Sequence, residues 1–282
     1  MDNTVMWTAA FRSAVINPYD QLQFGQPRSF ADQTVSQLLR LAGEITRVVA
    51  GDQTHTHPSV GAERVEARYY LSGVDVPAPT GTMIGAAFGD SWFEGVGTTP
   101  GANHRSVDFL NRRLDNGWVV NLGIAGNRLL RDGVGEHALT RFDREVVPIP
   151  ALTHVLVNLG INDLVLPGML GEGPPTADDL VAGFTTLADK AHEAGLKIVV
   201  ATIGPFAGAG VAVEALEARR EVNEWIRRTT VFDGVFDVAR AVADPRSPDH
   251  INPAFDAGDG MHLDDTGAQA MAESVDLRDL TL

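Results

Sequence analysis

A chain of 282 residues with 44% hydrophobic content is long enough for one large domain with its own core, or for one domain and an appendage. Its formal net charge of −15, from 22 Lys+Arg against 37 Asp+Glu, opposes nucleic acid and anionic membrane surfaces as partners, since both require a basic face. The absence of cysteine excludes disulfides, thiolate zinc sites and a cysteine nucleophile. No apolar run approaches the roughly 20 residues needed to cross a bilayer, and "MDNTVMWTAAFRSAV" lacks the basic-then-apolar start of a secretory signal. As it stands, the chain is expected to be cytoplasmic, or secreted if a leader has been removed.

In chain order, residues 1–80 read as a small N-terminal appendage. "SFADQTVSQLLRLAG" fits helix or strand, "PSVGAERV" carries turn residues, and "RVEARYYLSGVDV" alternates like a half-buried strand with Ala67, Tyr69 and Leu71 on one face. His55 and His57 in "THTH" would share a strand face, but a solvated loop is the favoured reading over a metal site. From residue 81 to 282 short apolar runs alternate with amphipathic ones. Strands are expected at Met83–Phe88, Trp118–Leu122, His154–Leu159, Lys197–Ile203 and Val235–Val238. Helices are expected at about Ser106–Leu114, Glu136–Val146, Thr176–Glu193, Val213–Thr229 and Asp265–Val275. Thr176 with Asp179 reads as an N-cap pair, and Gly195 as the glycine on which that helix ends. Val- and Ile-rich strands that barely alternate, each followed by a helix, imply a parallel sheet covered on both faces. The fold class is therefore α/β: a doubly wound, flavodoxin-like parallel sheet of about five strands.

In such a sheet ligands bind beyond the carboxyl ends of the strands. Four polar or glycine-rich stretches fall there. "GDSW" offers the Ser91 hydroxyl, "NLGIAGNRL" an N–H at Gly126 with no side chain in the way, and "NLGIND" the Asn162 amide. "DAGDGMHLDD" offers Asp259 and His262, three apart, close enough for the carboxylate to hold the imidazole in one tautomer. A nucleophile, a base, an orienting group and oxyanion donors are thus available from one edge. Asp256, Asp264 and Asp265 compete with Asp259, and His250 in "SPDHINP" is the alternative base. His104, His137, His154 and His192 read as surface or packing residues. Asp90 and Asp163 read as structural. Trp92, Arg128 and Met169 are candidate substrate-lining residues, Arg128 being equally able to tie the second loop to its neighbours, with Met169 and Leu170 placed in a Gly- and Pro-rich loop.

"FGDS", "GIAGN", "GIND" and "DGMH" resemble, in order and spacing, the four sequence blocks of the SGNH or GDSL-type hydrolases, over about residues 83–276. The resemblance implies Ser91 as nucleophile, an oxyanion hole of the Ser91 and Gly126 N–H groups and the Asn162 amide, and a triad completed by Asp259 and His262. "GNRLLRDG", "RFDREV", "TADDLVAG", "PFAGAG" and "VNEWIR" are similar to the bacterial arylesterase and acylhydrolase branch. Trp92 stands where that pattern has an aliphatic residue. By the same resemblance, residues 1–80 are a shortened β-rich module. Because the apolar face of Ala67, Tyr69 and Leu71 would be costly to leave in water, the segment is expected to pack on the hydrolase domain or on a partner subunit of a homo-oligomer.

Other classes fit less well. "GDSWF" lacks the last glycine of the G-x-S-x-G elbow, "GVGTTPG" has the wrong spacing for a dinucleotide fingerprint, and clustered metal ligands are not evident. The expectation is a serine esterase acting on short-chain acyl or aryl esters, an acetylated carbohydrate among them, without cofactor or metal. A lipase or lysophospholipase-type acylhydrolase, and a non-catalytic binding protein on the same fold, are the alternatives.

Overall fold

The computed structural model describes residues 78–282 and, upstream, two short strands, β1 (Thr46–Val48) and β2 (Glu63–Val65). The chain divides into two units, Met1–Gly81 and Thr82–Leu282. In the first, β1 and β2 pair antiparallel, Arg47 opposite Arg64. The expected strand at "RVEARYYLSGVDV" overlaps β2 only at its start. The rest of it, with Tyr69 and Tyr70, "SFADQTVSQLLRLAG" and the two histidines of "THTH", lies outside the described residues.

The second unit is built on a five-stranded parallel sheet: β3 (Met83–Gly89), β4 (Gly117–Gly123), β5 (His154–Asn158), β6 (Lys197–Ala201) and β7 (Gly234–Phe236). Their spatial order is β4-β3-β5-β6-β7, all neighbours parallel, which is the doubly wound, flavodoxin-like order expected. β5 is buried along its whole length and β3 at all but one residue, because helices cover both faces. One group of helices pairs α2 (Ser106–Arg113) with α8 (Asp265–Glu273). The other is α3 (Ala138–Glu145), α5 (Ala177–Glu193) and α6 (Val213–Arg228), where α5 contacts both of the others. Phe88, Phe142, Leu156, Phe184 and Ile198 are fully buried in the resulting core, each contributing about 2 kcal/mol by its removal from water.

The boundary chemistry acts as expected at α5. Thr176 Oγ1 accepts the Asp179 N–H at 3.1 Å and the Asp179 carboxylate accepts the Thr176 N–H at 2.8 Å, a reciprocal capping box.

Several expectations need correction. Ser91–Glu94 forms a one-turn helix, α1, and Ile161–Leu170 forms α4, so Met169 and Leu170 lie on the last turn of a helix and not in a loop. The Gly and Pro content hid α4. Its Pro167 lacks the N–H that would bond four residues back, yet the helix continues to Leu170 and ends at Gly171. β7 ends at Phe236 rather than Val238. There Asp237 accepts the Arg240 N–H and caps the short α7 (Val238–Ala241). A hairpin, β8 (Ala243–Asp244) with β9 (Ser247–Ile251), follows where no strands were expected.

Candidate active site

β4 and β5 flank β3 on opposite sides, so the chain reverses its winding direction at the carboxyl end of β3. Such switch points open a crevice. Ser91 sits there, 1% exposed, as the first residue of α1. The four residues of α1 reach four different parts of the molecule. Ser91 faces the loop before α8, and the Trp92 carbonyl accepts from Ser106 Oγ at 3.2 Å. The Phe93 carbonyl accepts from the Asn121 side chain, and the Glu94 carboxylate accepts the Ala125 N–H. A turn tied down this way fixes its hydroxyl.

The loop between β9 and α8 supplies the partner. His262 Nε2 lies 3.1 Å from Ser91 Oγ, and His262 Nδ1 lies 2.6 Å from Asp259 Oδ2. With a carboxylate facing Nδ1, that nitrogen carries the proton and Nε2 is left to accept the Ser91 O–H. Asp259 is itself held by the Met261 and His262 N–H groups at 2.9 and 2.8 Å. Burial pushes its carboxyl upward, but the His262 ring and these two N–H groups outweigh it and keep the group below its ordinary range. The competing aspartates have other work. Asp256 accepts the Gly258 and Gly260 N–H groups, Asp264 caps α8 through the Gly267 N–H, and Asp265 holds His104 Nδ1 and the Thr99 N–H. His250 pairs with Ser247, His137 with Asp132 and His192 with Asp233, while His154 is buried in β5.

The loop after β4 forms another wall. The Ile124 N–H donates to the Gly89 carbonyl at 3.0 Å, which ties this loop to the strand that delivers Ser91. Gly126 has φ +76°, and a Cβ there would lie 2.8 Å from Val134 Cγ2, so a side chain would be both strained and crowded. Among the described residues, neither the Gly126 N–H nor the Ser91 N–H donates to any group. Asn162, the buried second residue of α4, donates one amide hydrogen to the Asn127 carbonyl at 3.0 Å and retains a second. Asp163 receives the Leu129 and Leu130 N–H groups at 2.7 and 3.0 Å, clamping this loop to α4. Burial raises its carboxyl despite those bonds.

The substrate-lining candidates are placed differently. Trp92 is buried. Arg128 is also buried and commits its guanidinium to Glu172 at 2.6 Å and to the Arg131 and Asp132 carbonyls, so it braces loops rather than presenting charge to a ligand. Met169 is 77% exposed. Sequence reasoning missed Glu94, Asn158 and Arg141. Arg141 Nη2 bridges the Gly89 and Leu122 carbonyls at 2.9 and 3.0 Å beneath the site, with its guanidinium 4.2 Å over the Phe88 ring. An Arg in the apolar phase of α3, inside "RFDREV", was the available signal.

Asp90 has a carboxyl that is completely buried. Oδ1 accepts from the Trp92 N–H at 3.1 Å and the Asn158 amide at 3.3 Å, and Oδ2 has no partner. Burial lifts its pKa to about 7, the Trp92 N–H opposes that, Asp163 adds to it and Arg141 opposes it. Because the folded value lies above the ordinary 3.8, the unfolded chain releases this proton first as pH rises. Stability contributed by the group is full below about pH 4 and lost as pH rises to about 7, a change on the order of 4 kcal/mol. Asp90→Asn, which carries no proton to lose, should therefore raise Tm by several degrees at pH 9 relative to its effect at pH 5. Melting curves at the two pH values check this, and an equal shift at both would contradict it.

Residues 87–270, about two thirds of the chain, match the GDSL-like Lipase/Acylhydrolase family, and the chain belongs to that family: it is a hydrolase of carboxylic esters. Among solved structures, an aryl esterase of M. smegmatis aligns with a TM-score of 0.54 at 16% identity, over 68% of this chain and 96% of that one. A carbohydrate acetylesterase of Sinorhizobium meliloti aligns with a TM-score of 0.53 at 17% identity, over 68% of this chain and 96% of that one. At these identities the likeness establishes the fold. No curated protein matches the sequence. Among the described residues, no helix is long and apolar enough to cross a membrane.

Proposed function

We propose that the chain is a serine esterase of short-chain acyl or aryl esters, acetylated carbohydrate included, acting through an acyl-enzyme on Ser91 of the unit Thr82–Leu282. The observation that carries this is the continuous contact Ser91 Oγ to His262 Nε2 to Asp259. In the first step His262 Nε2 takes the Ser91 proton as Oγ attacks the ester carbonyl carbon. The carbonyl electron pair moves onto oxygen, held by the Ser91 and Gly126 N–H groups and the second amide hydrogen of Asn162. Collapse of this intermediate breaks the bond to the alcohol oxygen, which leaves with the proton from His262. Water, deprotonated by His262, then attacks the acyl carbon, and the acid leaves as Ser91 regains its proton. Asp259 holds Nδ1–H throughout and stabilises the imidazolium.

Two things support a neutral, short substrate. The net charge of −15 disfavours anionic phospholipid surfaces, and the fold is shared with proteins described as an aryl esterase and a carbohydrate acetylesterase. No nucleic acid or membrane partner is proposed. The test is a series of nitrophenyl esters of increasing acyl length, run beside acetylated xylan and acetylated monosaccharides. The expected result is the highest kcat/KM at acetate or butyrate. A maximum at eight carbons or longer would replace the short-chain reading with a lipase-type one.

A further inference from the structure

The residue after Ser91 carries an inference that rests on the reading of Ser91 and His262 as nucleophile and base. Trp92 is 4% exposed, and its indole Nε1–H donates to the Met261 carbonyl at 3.0 Å. Met261 precedes His262, just as Trp92 follows Ser91. Two bonds therefore join the same two short segments, Trp92 Nε1 to Met261 O and Ser91 Oγ to His262 Nε2, and together they close a small ring through the chain. We propose that Trp92 is a positioning residue: its indole clamp sets where the loop bearing His262 stands relative to Ser91.

The loop has reason to need one. Ala257, Gly258 and Asp259 are exposed, so little apolar burial holds this stretch in place. Segments of that kind open most easily. The other end of the clamp is rigid. The Trp92 backbone is fixed by its own N–H to Asp90 and its carbonyl to Ser106. Its ring lies flush on the strand-β6 side of the site: a Cβ built on Gly204 would fall 2.1 Å from Trp92 Cη2, so glycine there leaves the room the indole occupies. An aliphatic residue in place of Trp92 would fill space but offer no donor to Met261. Proton transfer from Ser91 to His262 is sensitive to placement, since a displacement of about 1 Å can cost on the order of 100-fold.

The test compares wild type with Trp92→Phe and with site-specific replacement of Trp92 by β-(3-benzothienyl)alanine, which keeps the indole shape without the N–H. Turnover of nitrophenyl acetate and the second-order rate of Ser91 labelling by an organophosphonate ester are measured per labelled site, together with Tm. In both variants kcat and the labelling rate should fall by about 10-fold or more while KM changes by less than about 2-fold. The benzothienyl variant should melt close to wild type, which separates the lost donor from lost packing. A benzothienyl variant with wild-type kcat and labelling rate, in a chain whose wild type is labelled at Ser91, would overturn the positioning role alone. A wild type labelled elsewhere than Ser91 would overturn the underlying reading and this inference with it.

Discussion

Ser91→Ala is expected to lower kcat by about 10⁴- to 10⁶-fold, and His262→Ala by a similar factor. In the proposed mechanism the two side chains, 3.1 Å apart, act in one proton transfer. Removing either removes the step, so the double variant should be no slower than the worse single one. The hydroxyl is a small part of the buried surface around α1, and its one hydrogen-bond partner among the described residues is His262, so Tm should move little. Steady-state rates of the three variants, with phosphonate labelling to exclude a contaminating esterase, check this. A Ser91→Ala enzyme within 10-fold of wild type, or multiplicative losses in the double variant, would sink the assignment.

Asn162→Ala is expected to cost about 100- to 1,000-fold in kcat, roughly 3–4 kcal/mol of barrier, with KM nearly unchanged. The amide hydrogen not given to Asn127 is the one available to an oxyanion, and its bond strengthens as negative charge develops on that oxygen. The same substitution breaks a buried bond to the Asn127 carbonyl, at about 1 kcal/mol of stability. Rates normalised to phosphonate-titrated sites separate the two effects. A loss of turnover no larger than the loss of titratable sites would mean that Asn162 is only a brace between α4 and the loop after β4.

Much of this arrangement was legible in the chain. The five strands lie within about two residues of their expected bounds, because an apolar run buried on both faces is a local property of composition. Thr176 and Asp179 announced the start of α5 for the same reason: a capping box involves residues three apart and nothing beyond them. The four polar blocks at strand ends placed a hydroxyl, an imidazole, carboxylates and an amide at one edge. The short helices α1 and α4 were not legible, since a single turn has no period to read and glycine with proline argues against a helix that the surrounding packing nonetheless holds.

The tertiary structure decided what each group does with its bonds. Four aspartates lie between residues 256 and 265, and the chain alone could only rank them. In the fold Asp256, Asp264 and Asp265 are satisfied by backbone N–H groups and His104, leaving Asp259 on the imidazole. The chain left open whether Arg128 ties its loop to its neighbours or touches substrate; in the fold its guanidinium is closed by Glu172 and two carbonyls. Trp92 reaches a carbonyl 169 residues further along the chain. Composition and short-range spacing fix which chemical groups arrive at the carboxyl edge of the sheet. Which donors and acceptors remain unpaired there depends on contacts between residues far apart in sequence, and those form only when the strands are brought into register.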